Sequence, residues 1–214
     1  MFHEIKQWMN QNKANQISEV LKKVGYTVYQ VNDIYEAKAK LLELIPEGAS
    51  ITLGGSVTLD EMGLLELFRS SKYKLFDRYQ PMPYPERVEL MRQGLLADYM
   101  VSGCNAITKR GELVNRDSSG NRVAGMIFGP SNVIMVAGVN KIVNNIDEAF
   151  ARIKAIAPMN VRRLKHSDAG CTETGFCCDC DLKGRICNYT TIIHNARKHP
   201  GRLTMIIIAD EIGF

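Results

Sequence analysis

Four stretches hold the side chains on which chemistry could rest. The first is Gly54-Gly55-Ser56-Val57-Thr58, with Glu61 shortly after it. Two glycines let a backbone approach a ligand closely, and Thr58 followed three residues later by Glu61 matches a capping box, so a helix is expected to begin at Thr58. Its free amides would face back towards Gly54, Gly55 and Ser56 and favour a negative charge there. A phosphate or a carboxylate would fit. The same turn is also common between strand and helix for steric reasons alone. It is neither a P-loop, since no Gly-Lys-Ser/Thr follows, nor a dinucleotide fingerprint, since Gly-x-Gly-x-x-Gly spacing is absent.

Cys104-Asn105, read together with the polar loop at residues 117–122, forms the second stretch, and Gly138-Val139-Asn140-Lys141 forms the third. If all three follow the carboxyl ends of neighbouring strands, they converge on one crevice. The ligand-binding set is then Gly54, Gly55, Ser56, Thr58, Asn105, Gly120, Asn121, Arg122, Asn140 and Lys141. Arg122 and Lys141 would supply positive charge, while Glu61 and Asp117 are the candidate proton acceptors. Ordinary turn composition is the competing explanation for Asp117-Ser118-Ser119-Gly120-Asn121. Cys104, small and apolar beside a strand end, reads as a packed core residue.

The fourth stretch runs over residues 166–188 and carries Cys171, Cys177, Cys178, Cys180 and Cys187. Cys177 and Cys180 have the C-x2-C spacing that lets two thiolates grip one metal, and Cys171 and Cys187 lie close enough in sequence to complete four ligands. Cys178 is left as a spare thiol. The spacing matches neither the bacterial ferredoxin run nor paired zinc-ribbon knuckles, so an iron–sulfur cluster and zinc both remain open. His166, His194 and His199 read as structural.

The elements that must position these groups alternate. A helix carrying Ile17, Val20, Leu21 and Val24 stops at Gly25 within an N-terminal segment spanning residues 1–25. A strand follows at residues 26–31, then a helix capped by Asp33, then the strand into the Gly-Gly-Ser turn. Further strands are expected at residues 73–76, 98–102, 131–136, 190–194 and 203–209, with a hairpin turning at Gly111. Helices are expected after Pro85 and over residues 146–156. The pattern breaks at Pro158. Alternation of this kind argues for a mainly parallel sheet covered on both faces.

At 214 residues, 45% hydrophobic and 23% charged, the chain is expected to be one soluble α/β domain. A net charge of +4 without runs of like charge argues against nucleic acid. The polar start and the lack of any eighteen-residue apolar stretch imply no membrane span and a cytoplasmic location. In that compartment clustered cysteines point to metal or redox chemistry ahead of disulfides.

The ordered set Leu53-Gly54-Gly55-Ser56-x-Thr58-Leu59-x-Glu61-x-Gly63, Gly120-Asn121-Arg122-Val123, Gly138-x-Asn140-Lys141-Ile142-Val143 and Arg185-Ile186-Cys187-Asn188 resembles the LUD-domain family of lactate-utilisation proteins. The likeness covers about residues 26–213. It implies the three-layer α/β/α sandwich shared with sugar-phosphate isomerases and CoA transferases, and a role in bacterial oxidation of L-lactate to pyruvate beside iron–sulfur redox subunits. It also implies that the Gly-Gly-Ser turn corresponds to the anion-binding loop of those enzymes. The ferredoxin-type cysteine runs of the family's large subunit are absent here, and its small subunit usually lacks a four-cysteine segment near its end. The chain therefore resembles a stand-alone branch. Three readings follow: an anion-binding redox protein with a cysteine-held centre, an isomerase-like or acyl-transfer enzyme with structural zinc, and a non-catalytic metabolite-binding or assembly protein, each compatible with a homo-oligomer.

Overall fold

The computed structural model describes residues 1–165 and 169–214. Helix α1 (Phe2–Lys23) leads through Gly25, whose φ of +98° a glycine adopts without strain, into strand β1 (Thr27–Val31). Asp33 caps α2 (Ile34–Leu44) by accepting from the amides of Tyr35 and Glu36. Then come β2 (Ser50–Leu53), α3 (Val57–Glu61), α4 (Leu64–Phe68), β3 (Lys74–Leu75), α5 (Tyr84–Gln93) and β4 (Tyr99–Gly103). Beyond them lie β5 (Ala106–Thr108), β6 (Leu113–Asp117), α6 (Asn121–Phe128), β7 (Asn132–Gly138), β8 (Ile142–Val143), α7 (Ile146–Arg163), α8 (Cys171–Thr174), β9 (Tyr189–Ile193) and β10 (Leu203–Ile208).

Six strands form one sheet in the order β1-β10-β7-β4-β2-β3, and every pair in it is parallel. Side-chain alternation explains why helices cover both faces. Met205 and Ile207 of β10 join Met135 of β7 in one core, while Ile206 and Ile208 join Val136 in the other. The expected α/β/α layering is what the chain adopts. A smaller sheet, β8-β5-β6-β9, contains the hairpin at Gly111 and packs beneath α7 through Ala106, Val114, Ala149 and Ile153. No helix among the described residues is long and apolar enough to cross a membrane.

Three expectations about elements need correction. The helix after the Gly-Gly-Ser turn does not begin at Thr58 as a capping box: Ser56 holds the cap position, no side chain caps it, and the helix lasts five residues. Gly63, with φ of +65°, turns the chain before α4 starts. α7 does not stop at Pro158 but continues to Arg163, because Ile153, Ile156, Ala157 and Val161 keep one apolar stripe buried across the proline. Finally, the polar loop expected at residues 117–122, ahead of a resumed pattern at residues 123–128, gives way at Asn121 to α6, which buries Val123 and Met126.

Candidate functional site: a cation-lined crevice at the strand ends

The carboxyl ends of β2, β4 and β7, adjacent in the sheet, deliver Gly54-Gly55-Ser56, Cys104-Asn105 and Val139-Asn140-Lys141 to one rim. This is where open parallel sheets bind ligands. A crevice of about 110 Å³ opens there, and Gly55, Ser56, Asn105, Asp117, Arg122 and Lys141 all border it.

Close backbone approach is why glycines stand at this rim. A Cβ on Gly54 would fall 2.3 Å from Ser102 Oγ and 3.1 Å from Arg122 Cδ, and one on Gly103 would fall 2.3 Å from Ser56 Oγ. Gly54→Ala should therefore force Ser102 aside, press on Arg122 and lower stability by about 1–3 kcal/mol. A thermal melt checks this, and an unchanged melting temperature would mean that the strand end yields freely.

Arg122 is buried and spends its guanidinium on neutral oxygens. One terminal nitrogen donates to Gly103 O at 3.2 Å and Asn115 Oδ1 at 3.0 Å, the other to Asn105 Oδ1 at 3.0 Å and Arg116 O at 2.8 Å. Lys141 is 2% exposed, and its Nζ donates 2.7 Å to Thr58 Oγ1. Among the described residues neither cation forms an ion pair. Burial pulls the Lys141 ammonium down to about 8, and nearby Arg152 and Arg122 push the same way against Cys104 and Glu61. Burial likewise lowers Arg122 and raises the Cys104 thiol.

Two further arginines border the crevice. Arg116 reaches it from β6, and Arg163 comes from the part of α7 beyond Pro158. Arg163 pairs with Asp60 at 3.3 Å, yet its buried Nε–H has no acceptor among the described residues. Neither is expected there from the sequence: Arg116 falls outside the polar loop at residues 117–122, and the helix is expected to end before Arg163. An unbroken i, i+3, i+4 apolar stripe through Val161 was the signal that could have found it. Arg152 of α7 donates to Asn105 O and Asn140 O, tying two of the rim loops together.

Other expected residues take different stations. Asp117 accepts from the amides of Ser118, Arg122 and Val123, so its carboxylate anchors the start of α6 at the crevice edge. Glu61 accepts from Gly213 N, and Asn140 donates to Gly213 O, so both fasten the C-terminal segment. Thr58 lies wholly buried behind the crevice as the acceptor for Lys141. Gly120 and Asn121 face a broader groove bordered by Arg92, Lys183 and Arg185.

The five C-terminal cysteines are free thiols bordering a common cavity of about 20 Å³, with Arg116 and Arg185 beside them. Cys178, expected to be spare, belongs to that wall. Burial raises the thiols of Cys171 and Cys187; the other cysteines add to the shift at Cys171, while Arg116 opposes it at Cys187. Cys187 and Arg116 border both the thiol cavity and the crevice, so the two share a partition. Soft sulfur donors suit a thiophilic metal. Among the described residues, however, no group of three or more His, Cys, Asp or Glu is arranged to hold a metal ion. His166 lies outside the described residues.

A parallel-sheet α/β fold with a cation-lined crevice at its strand ends defines the class. Residues 14–208 match the family model described as the LUD domain, and the chain belongs to that family. Among solved structures it is similar to a DUF162 family protein from Deinococcus radiodurans, known from a crystal structure at 1.70 Å resolution. That likeness, 15% identity with a TM-score of 0.52 over 93% of this chain and 98% of the other, is one of fold. No curated protein matches the chain in sequence.

Proposed function

We propose that the crevice binds a small anionic metabolite, a carboxylate or a phosphate, and that the protein serves lactate utilisation or related redox metabolism. One observation carries the binding reading: among the described residues, Arg122 and Lys141 are buried at the crevice with only neutral oxygens as partners. Buried charge is costly unless paired, and a bound anion would supply the missing counter-charge. The Nε–H of Arg163, a residue that also borders the crevice, adds a donor without an acceptor among the described residues. Membership of the LUD-domain family supports the metabolic setting.

The thiol cavity extends this reading. Cys171, Cys177, Cys180 and Cys187 would hold an iron–sulfur cluster or zinc. A cluster would supply electron transfer, and zinc would cross-link the segment. Residues 169–188 would have to draw together around either one, with the shared wall at Cys187 and Arg116 placing the centre next to the bound anion.

Thermal shift against phosphate, lactate, pyruvate and sugar phosphates tests the crevice. At least one should raise the melting temperature, and Ser56→Ala combined with Lys141→Ala should remove that rise. A rise that persists in the double variant would place the ligand elsewhere. Metal analysis of anaerobically purified protein tests the thiols: brown protein with iron and sulfide supports a cluster, stoichiometric zinc removes electron transfer, and metal-free protein removes the centre.

A further inference from the structure

Lys141 is placed unlike a lysine that merely attracts anions. Such lysines extend into solvent and keep their hydration, because an ammonium is a strongly hydrated point charge. Here the side chain is almost fully enclosed, with one neutral acceptor at 2.7 Å and Arg122, Arg152, Cys104 and Glu61 as the charged or titratable groups that act on it. The adjoining crevice wall is apolar where α7 supplies Ile153, Ile156 and Ala157, and Phe214 closes another side. An enclosed amine in a partly apolar crevice, beside cations that hold an anion, is the arrangement in which lysine becomes a nucleophile towards carbonyl carbon.

We infer that Lys141 forms an imine with a small ketone or aldehyde that carries an anionic group, a proposal that rests on the crevice being an anion site. The Nζ lone pair attacks the carbonyl carbon, the N–C bond forms, and the carbonyl oxygen takes up a proton to become a hydroxyl. That hydroxyl takes a second proton and leaves as water while the C=N bond forms, so amine and carbonyl give imine and water with no change of oxidation state. Thr58 Oγ1, already bonded to Nζ, is placed to pass a proton. The two protons taken up by oxygen replace the two that nitrogen loses, and one more proton from solvent converts the imine to an iminium, which keeps the positive charge opposite the ligand's anion. Burial also suits the amine to this chemistry. Drawn down to about 8, Lys141 is neutral in about a tenth of molecules at pH 7 and about half at pH 8, far more than an ordinary lysine titrating at about 10.4.

The test uses the intact protein with sodium cyanoborohydride and either pyruvate, for a carboxylate, or dihydroxyacetone phosphate, for a phosphate. Reduced adduct should accumulate at Lys141 with at least one probe, about tenfold above any other lysine near pH 8 by peptide mapping. With the probe saturating at every pH, its rate should climb as pH rises through 8, and Lys141→Arg should abolish it. Thermal shift is measured in parallel with the two probes and with lactate and glycerol 3-phosphate, which hold the same anions without the carbonyl. Shifts with both members of a pair but no adduct at Lys141 would overturn the imine and leave the anion site standing. No shift and no adduct with any compound would overturn both, and labelling confined to other lysines overturns the imine as well.

Discussion

Lys141→Met is expected to make the empty protein more stable and unable to respond to anions. A lysine held at about 8 against an ordinary 10.5 costs the fold about 3 kcal/mol while both folded and unfolded chains carry the proton. Methionine removes that cost but leaves the Thr58 hydroxyl without its donor, for a net gain of about 1–2 kcal/mol and a rise of roughly 2–6 °C. Adding Thr58→Val removes the stranded hydroxyl and should recover more. The sign with pH is also set. Because the folded value lies below the unfolded one, the unfolded chain binds the extra proton between about pH 8 and 10.5, so this residue's contribution to stability rises with pH across that window. The methionine variant should lack that rise. A lower melting temperature for both variants at pH 7 would mean that Lys141 is a structural cation.

Arg122→Met should act in the opposite direction and more strongly. Its guanidinium satisfies Gly103 O, Arg116 O, Asn105 Oδ1 and Asn115 Oδ1, and those acceptors stay buried when it goes. Charge-assisted bonds of this kind are worth about 1.5–3 kcal/mol each before relaxation, so a total loss of about 3–5 kcal/mol and a fall of roughly 6–20 °C are expected. Arg122→Lys should rescue little, because a point ammonium has three donors and cannot span the four acceptors that the guanidinium fork reaches. A melt within about 2 °C of the parent for either variant would contradict the view that this residue holds the β4, β6 and α6 ends together.

The contrast shows what was legible in the sequence. Gly54-Gly55-Ser56, Asn105, Arg122 and Lys141 are legible from their chemistry because each follows closely on the end of a strand, Arg122 in the first turn of α6, and the strand order brings them together. The role of Thr58 was not legible. Its hydroxyl could serve a local cap or a remote donor, and Lys141, 83 residues away, is the donor it serves. Gly120 and Asn121 lie only one or two residues from Arg122, yet they turn to another groove because α6 begins between them and its first turn rotates neighbours apart. Asn140 and Glu61 were diverted by the C-terminal segment, whose return across the rim is a tertiary event without local signature. The cysteines were legible as a cluster, and their shared wall with the crevice followed from the return of the chain at β9.

The most direct measurement is a calorimetric titration of the protein with sulfate, an anion that does not itself titrate between about pH 7 and 9.5. Binding at pH 7, weakened roughly tenfold or more at about pH 9.5 as Lys141 loses its proton and absent in Lys141→Met, is the expected result. Equal affinity at both pH values, or undiminished binding by the methionine variant, would contradict the claim that buried, unpaired cations make this crevice an anion site.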